Sequence, residues 1–268
     1  MKIRTLAWST FGSFFYNRLI VVLLLVCVGV VVLMLTPLLG AKAMKSAQNA
    51  AQMQSVVLGM VSTIMQFVSG FGSIVAAWAA ADAVATEMTS GTILAVMARP
   101  VRRWEFLVGK LSGVMMLMAA YVFMMFALSW VLAWIGGERI QSSLWVLLVY
   151  PMVRYAIWAA MAMALVTFLR PIVTMGFLLL AFVGIETSSS PSVGADHPVQ
   201  RKLLDVLHWV LPSTDLLSES RFLEITHASL KQVGWLEHAT TLAYGLDYAL
   251  VCLLLAMWSF HYRSLKRD

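Results

Sequence analysis

The chain consists largely of long, continuous apolar runs separated by short polar segments. Within these runs apolar and polar residues do not alternate, so the pattern predicts helices rather than the strands of a membrane barrel. Lipid cannot satisfy backbone polar groups, and a helix needs about 20 mostly apolar residues to cross a bilayer. Six spans are predicted on this basis, at 19–39, 56–81, 106–135, 144–169, 172–185 and 242–261. The expected fold is all-α and polytopic, with a fifth span that is short for a full crossing.

The basic residues predict the orientation of these spans, because cytoplasmic loops carry an excess of Lys and Arg. With a cytoplasmic N-terminus, the short outer loops hold only Lys42, Lys45 and Arg139. The inner side then holds Lys2, Arg4, Arg18, Arg99, Arg102, Arg103, Lys110, Arg170, Arg263, Lys266 and Arg267. We therefore expect both termini to lie inside, in a bacterial-type cytoplasmic (inner) membrane.

Two further segments complete a single domain over residues 1–268. Residues 1–18 mix cations with aromatic residues at helical spacing, which predicts a helix in the inner membrane interface. The alternative is a simple continuation of the first span. Residues 187–241 are the largest polar segment, and they predict an outer loop with short helices before the last span, interrupted at Pro212.

Composition excludes several classes of function. The chain is 61% hydrophobic and 12% charged, whereas soluble domains carry about 25% charged residues. The net charge of +6 is explained by topology, so no nucleic-acid partner is expected. No histidine lies deep in a span and no H-E-x-x-H motif occurs, which argues against an intramembrane hydrolase or a zinc enzyme. Cys27 and Cys252 lie within apolar runs and are expected only to pack, so no metal site is predicted.

The most informative segment is the polar interruption between the second and third spans, residues 82–110. Gly91 is expected to end one helix, and Ser90 or Thr92 is a suitable cap for the next. A short apolar run follows, formed by Ile93, Leu94, Val96 and Met97, and it is too brief to span a membrane. The segment therefore predicts a short helix that docks into a groove of a soluble partner on the cytoplasmic side, with flanking charges that set its register.

The order and spacing of this segment resemble the signature of type-2 permeases of ATP-binding-cassette (ABC) exporters. The closest branch is the one that includes permeases of copper-enzyme maturation systems. The matching positions are Val84, Glu87, Gly91, Thr92, Pro100, Arg103, Gly109 and Lys110. The layout of an interfacial N-terminal helix, six spans and outer helices before the last span resembles that family over the whole chain.

The resemblance implies a permease half that works as a dimer with two ATP-binding subunits, with residues 82–110 receiving the ATPase movement. The second permease would be identical or different. This chain contains no G-x-x-x-x-G-K-[ST] motif, so ATP and Mg²⁺ are expected on a separate subunit. No cofactor is expected on this chain, and its remaining partner is membrane lipid.

Polar residues inside the spans form a second set of candidates. Arg154 lies about ten residues into the fourth span, and a buried cation in a membrane needs a partner or a wet cavity. Its candidate partners are Glu186 and Asp247. Arg154 and its partner are either part of a polar pathway or a structural ion pair that holds two helices together. The small residues at 69–73 are expected to allow close helix contact, within the chain or in a dimer.

Two other classes of function stay open at the level of sequence. An ATP-independent secondary transporter or channel would be favoured by paired intramembrane charges. A membrane-anchored assembly factor would act through residues 187–241. The leading hypothesis is the permease subunit of an ATP-driven exporter, and no residue identifies its cargo.

Overall fold

A computed structural model describes residues 2–33, 50–90, 102–136, 144–188, 212, 217 and 235–262. These residues form seven helices: α1 (Lys2–Tyr16), α2 (Arg18–Leu33), α3 (Ala50–Ser90), α4 (Arg103–Gly136), α5 (Leu144–Phe168), α6 (Pro171–Ser188) and α7 (Trp235–Tyr262). The protein is all-helical in the part that the structure describes, as the sequence predicted.

Four of the described helices are long and apolar enough to cross a membrane. Their spanning parts are Phe67–Met88, Trp104–Ala127, Leu148–Phe168 and Trp235–Phe260. The segment Pro171–Gly184 in α6 is apolar but shorter, as expected for the predicted fifth span. The predicted first span begins in α2, and its last part, residues 34–39, lies outside the described residues. The chain is therefore an integral membrane protein, and its total of six spans stays a prediction.

The polar interruption at 82–110 is helical at both of its ends. The helix α3 continues through Asp82 and Glu87 to Ser90, and α4 already begins at Arg103. Both side chains have polar partners in the structure: Asp82 bonds to Asn17, and Glu87 pairs with Lys110 of α4. The predicted docking helix in the middle of this segment, including Gly91 and Pro100, lies outside the described residues.

The helix α5 forms the centre of the bundle and packs mainly against α3 and α7. It buries large aromatic side chains, among them Tyr150, Tyr155 and Trp158. On α3 the facing residues are mostly alanine, which allows the helix backbones to approach closely. By contrast, α6 and α7 expose many large apolar residues on their outer faces, including Ile172, Leu180 and Leu236. Lipid contact accounts for these exposed faces in a membrane protein.

Candidate functional site

The strongest concentration of polar contacts lies where α3 ends and α4 begins, which we call the α3–α4 end. Lys110 on α4 forms a salt bridge with Glu87 on α3, and the two side chains are 7% and 23% exposed. The Lys110 ammonium also lies 5.7 Å from the centroid of the Phe106 ring, one turn earlier on α4, in reach of a cation–π interaction. Removing one partner of such a buried pair leaves an uncompensated charge, so the pair ties the two helices together.

The first turn of α4 is fixed by its own acidic residue. The Glu105 carboxylate accepts a hydrogen bond of 2.8 Å from the backbone N–H of Arg102. This is the arrangement of a capping box, in which the third helical residue satisfies the N–H of the cap residue. Consequently α4 has a defined start at Arg103.

The N-terminal helix α1 packs along the beginning of α4. Two glycines spaced four residues apart, Gly109 and Gly113, form the contact surface on α4. A Cβ atom on Gly109 would lie 2.8 Å from Leu6 Cβ, and one on Gly113 would lie 2.6 Å from Thr10 Cβ. Both distances are too short for real atoms, so the close approach of the two helices depends on glycine. Whether α1 also lies in the membrane interface stays a prediction.

The junction between α1 and α2 is attached to α3 by a side-chain hydrogen bond. Asn17, the single residue between the two helices, donates from Nδ2 to Oδ2 of Asp82 at 2.7 Å. The other oxygen of Asp82 accepts a bond of 3.3 Å from Thr86, one turn later on α3. The α3–α4 end therefore joins four helices: α1 and α2 through Asn17, and α3 and α4 through the Glu87–Lys110 pair.

The structure places five of the predicted coupling residues at or beside this end. Val84 is fully buried, Arg103 is the first residue of α4, Gly109 contacts α1, and Glu87 pairs with Lys110. The other predicted coupling residues lie outside the described residues: Gly91, Thr92, Ile93, Leu94, Met97 and Pro100. The role of the whole set in coupling stays a prediction.

Sequence reasoning missed several residues of this site. Asn17, Asp82 and Glu105 were not singled out as contacts, and Gly113 was not paired with Gly109. The glycines did carry a signal, because a G-x-x-x-G spacing in an apolar helix indicates a close helix contact. The Asn17–Asp82 bond joins residues 65 positions apart, and no local pattern announces such a contact.

The small residues at 69–73 form a contact within the chain. Gly72 faces two tyrosines, and a Cβ atom there would lie 2.8 Å from Tyr121 and would also overlap the Tyr155 hydroxyl. Both hydroxyls donate to the backbone carbonyl of Val68, at 3.1 Å from Tyr121 and 3.2 Å from Tyr155. The two tyrosine hydroxyls and the Val68 carbonyl therefore connect α3, α4 and α5.

Arg154 is buried on α5, one turn before Trp158 on the same face. The Trp158 ring packs edge-on against Phe182 of α6, with centroids 5.7 Å apart. Since α5 and α6 are consecutive helices with a short connection, they run antiparallel, and position 186 lies in register with position 154. Asp247, in contrast, is exposed on α7. The side chain of Glu186 lies outside the described ones, so the pairing of Arg154 with Glu186 stays a prediction.

At the opposite end of the bundle, α5 and α7 are joined by a part-buried hydrogen bond. The hydroxyl of Tyr150 lies 2.7 Å from Nδ1 of His238, and the His238 ring also contacts Trp235 edge-on. No three His, Cys, Asp or Glu side chains come together as metal ligands in the part of the chain that the structure describes.

Comparison with known proteins gives one family match. The model of a family described as ABC-2 family transporter protein matches residues 4–265, nearly the whole chain. A search of curated proteins finds no significant match.

Proposed function

Since the chain belongs to the ABC-2 family of transporter proteins, and is thus a membrane component of an ABC transporter, we propose that it is the permease subunit of an ATP-driven exporter. A separate subunit binds Mg²⁺ and ATP and drives this chain through residues 82–110. The mostly buried Glu87–Lys110 pair is the observation that carries the proposal. Family membership favours this function over a secondary transporter or an assembly factor.

The contacts at the α3–α4 end suit the transmission of movement from a docked ATPase. A displacement of the segment between α3 and α4 acts on two helix ends that the Glu87–Lys110 pair holds together. Gly109 and Gly113 extend this connection to α1, and Asn17 extends it to the start of α2. Tightly packed elements move as units rather than deforming continuously, so four helices would respond together.

The proposed assembly is a pair of permease subunits with two ATP-binding subunits, surrounded by lipid of the cytoplasmic membrane. Both termini and residues 82–110 then face the cytoplasm, and residues 187–241 face outward. The copper-enzyme maturation branch is proposed on the resemblance of residues 84–110 alone.

A charge-swap series tests the coupling. Glu87→Lys and Lys110→Glu each place two like charges together in a mostly buried site, and breaking such a pair costs about 3–5 kcal/mol. We expect both variants to reduce co-purification of the ATP-binding subunit and to uncouple its ATP hydrolysis in vesicles. The double variant Glu87→Lys/Lys110→Glu restores opposite charges, so it should recover assembly and part of the coupled hydrolysis.

Glu237→Lys is the matched control, since Glu237 is exposed in the first turn of α7. This variant should assemble and hydrolyse ATP like the wild type. If both single swaps fold and keep wild-type assembly and coupled hydrolysis, the proposed route through the α3–α4 end is wrong.

A further inference from the structure

Three buried hydrogen-bonding atoms lie on the helices that form the interface of α6 with α3 and α5. They are Nε1 of Trp78 on α3, Nε1 of Trp158 on α5 and Oγ1 of Thr174 on α6. Trp158 and Thr174 are 1% and 0% exposed. None of the three atoms has a hydrogen-bond partner among the residues that the structure describes. A buried polar group without a partner carries its full desolvation penalty.

Some other buried polar side chains of the bundle are satisfied by the protein itself. Thr167 donates to the carbonyl of Ala164 at 2.6 Å, and Ser73 donates to that of Ser69 at 2.9 Å. Thr174 could bond to its own helix in the same way, but its hydroxyl does not, although its backbone N–H does bond to Arg170. Ser69 on α3 and one oxygen of Glu87 also bury an atom without a hydrogen-bond partner among the described residues, so such atoms are not confined to the α6 interface. Those of Trp158 and Thr174 are on almost fully buried side chains and still call for an explanation.

The packing of α6 places these atoms along one interface. Thr174 shares a buried stripe with Leu178 and Ala181, at the i, i+4, i+7 spacing of one helix face. Phe182 continues this face, and it lies against Trp158 and 3.3 Å from a Cβ position on Gly70. The helices α3 and α6 run antiparallel, so a step forward along α3 corresponds to a step backward along α6. Trp78 lies eight residues after Gly70 on α3, and Thr174 lies eight residues before Phe182 on α6. The two therefore lie at the same level along their helices.

The chemistry of these groups points to a small, neutral guest. Two indole N–H groups can only donate, and the threonine hydroxyl can both donate and accept. Nearly complete burial of Trp158 and Thr174 leaves no route for a large ligand. Arg154, buried one turn from Trp158 on the same face, adds a charged group, and charged residues within membranes face polar partners or water.

We propose that ordered water occupies the interface of α6 with α3 and α5. One water accepts a hydrogen bond from the indole N–H of Trp78 and bonds to the hydroxyl of Thr174. A second water accepts from the indole N–H of Trp158, which lies beside Phe182, eight residues along α6 from Thr174. Buried waters of this kind make two to four hydrogen bonds with otherwise unsatisfied groups. The short helix α6 is thus held to its neighbours partly through water, independently of how the transporter is driven.

Thr174→Val tests the proposal, because valine keeps the shape and removes the hydroxyl. A bound water loses a partner, so the unfolding temperature of the detergent-solubilised protein should fall by about 2–4 °C. A dry interface loses an unsatisfied group, so the temperature should rise. Thr167→Val is the matched control: it removes a satisfied bond to Ala164, and its unfolding temperature should fall in either case.

X-ray radiolysis of the wild-type protein in ¹⁸O-labelled water provides a test without any substitution. Side chains beside bound water should take up the label, so Trp78 and Trp158 should be modified well above Tyr121 and Tyr155. Those tyrosines are buried, and their hydroxyls donate to a protein carbonyl. Either a rise in the unfolding temperature of Thr174→Val or tryptophan labelling no higher than that of the tyrosines would overturn the proposal.

Discussion

Replacing Gly113 with alanine tests whether α1 is held against α4 by the absence of a side chain. The new Cβ would lie 2.6 Å from Thr10 Cβ and 2.8 Å from the carbonyl oxygen of Ala7. Neither atom is the end of a flexible side chain, so α1 must shift as a whole. Overpacking of this kind costs about 1–3 kcal/mol, while alanine gains about 0.5–1 kcal/mol over glycine within a helix. We therefore expect a net loss of about 1–2 kcal/mol.

Thermal unfolding in detergent, followed by tryptophan fluorescence, measures this loss. A change of this size corresponds to a decrease of about 3–6 °C in the unfolding temperature. Gly12 is the matched control within α1, because a Cβ there would meet nothing within 4 Å. Gly12→Ala should leave the unfolding temperature unchanged or raise it slightly.

A compensating variant sharpens the test of the α1–α4 contact. Thr10→Gly removes the atom that the new Cβ would strike, so Thr10→Gly/Gly113→Ala should be more stable than the sum of the two single changes predicts. The reasoning is refuted if Gly113→Ala behaves like Gly12→Ala, or if the two changes at positions 10 and 113 are strictly additive.

The remaining predictions concern the other close contacts of the bundle. Gly72→Ala should lower the unfolding temperature, because its Cβ overlaps the Tyr155 hydroxyl. In a Tyr155→Phe protein the same change should cost less, and an equal loss with Tyr155 and with Phe at position 155 would contradict the assigned contact. Gly245→Ala should be destabilising because its Cβ overlaps Val153 Cγ1, and shortening Val153 to alanine should relieve the overlap; failure of that relief would place the strain elsewhere. His238→Ala should lower the stability by about 1 kcal/mol through loss of its bond to Tyr150, a value that denaturant or thermal unfolding can check.

Sequence reasoning predicted the positions of the helices closely. The third span was predicted at 106–135 and is observed as α4, Arg103–Gly136. The fifth was predicted at 172–185 and is observed as α6, Pro171–Ser188. These predictions succeeded because hydrophobic length is a local property that a helix in lipid must satisfy by itself. The helix end predicted at Gly91 agrees with α3, which is described to Ser90. The predicted sixth span was too short, because α7 begins at Trp235, seven residues before position 242.

The candidate site was predictable in part. Glu87, Gly109 and Lys110 were singled out by their order in the segment, and the match to the ABC-2 family supports the resemblance on which that choice was based. Their pairing was not predicted. Glu87 and Lys110 were taken to act on a partner protein, whereas in the structure they contact one another, and Gly109 contacts the N-terminal helix.

By itself, the sequence determined the class of protein, the positions of its apolar helices and the segment that distinguishes its family. Each of these follows from hydrophobicity, length and spacing within a short stretch of chain. Only the tertiary structure decided that Glu87 pairs with Lys110 and that Gly113 contacts Thr10. It also decided that polar atoms of Trp78 and Thr174 are buried without direct partners among the described residues. These contacts depend on the relative register of helices far apart in the chain, where a shift of one residue turns a side chain by about 100° around the helix.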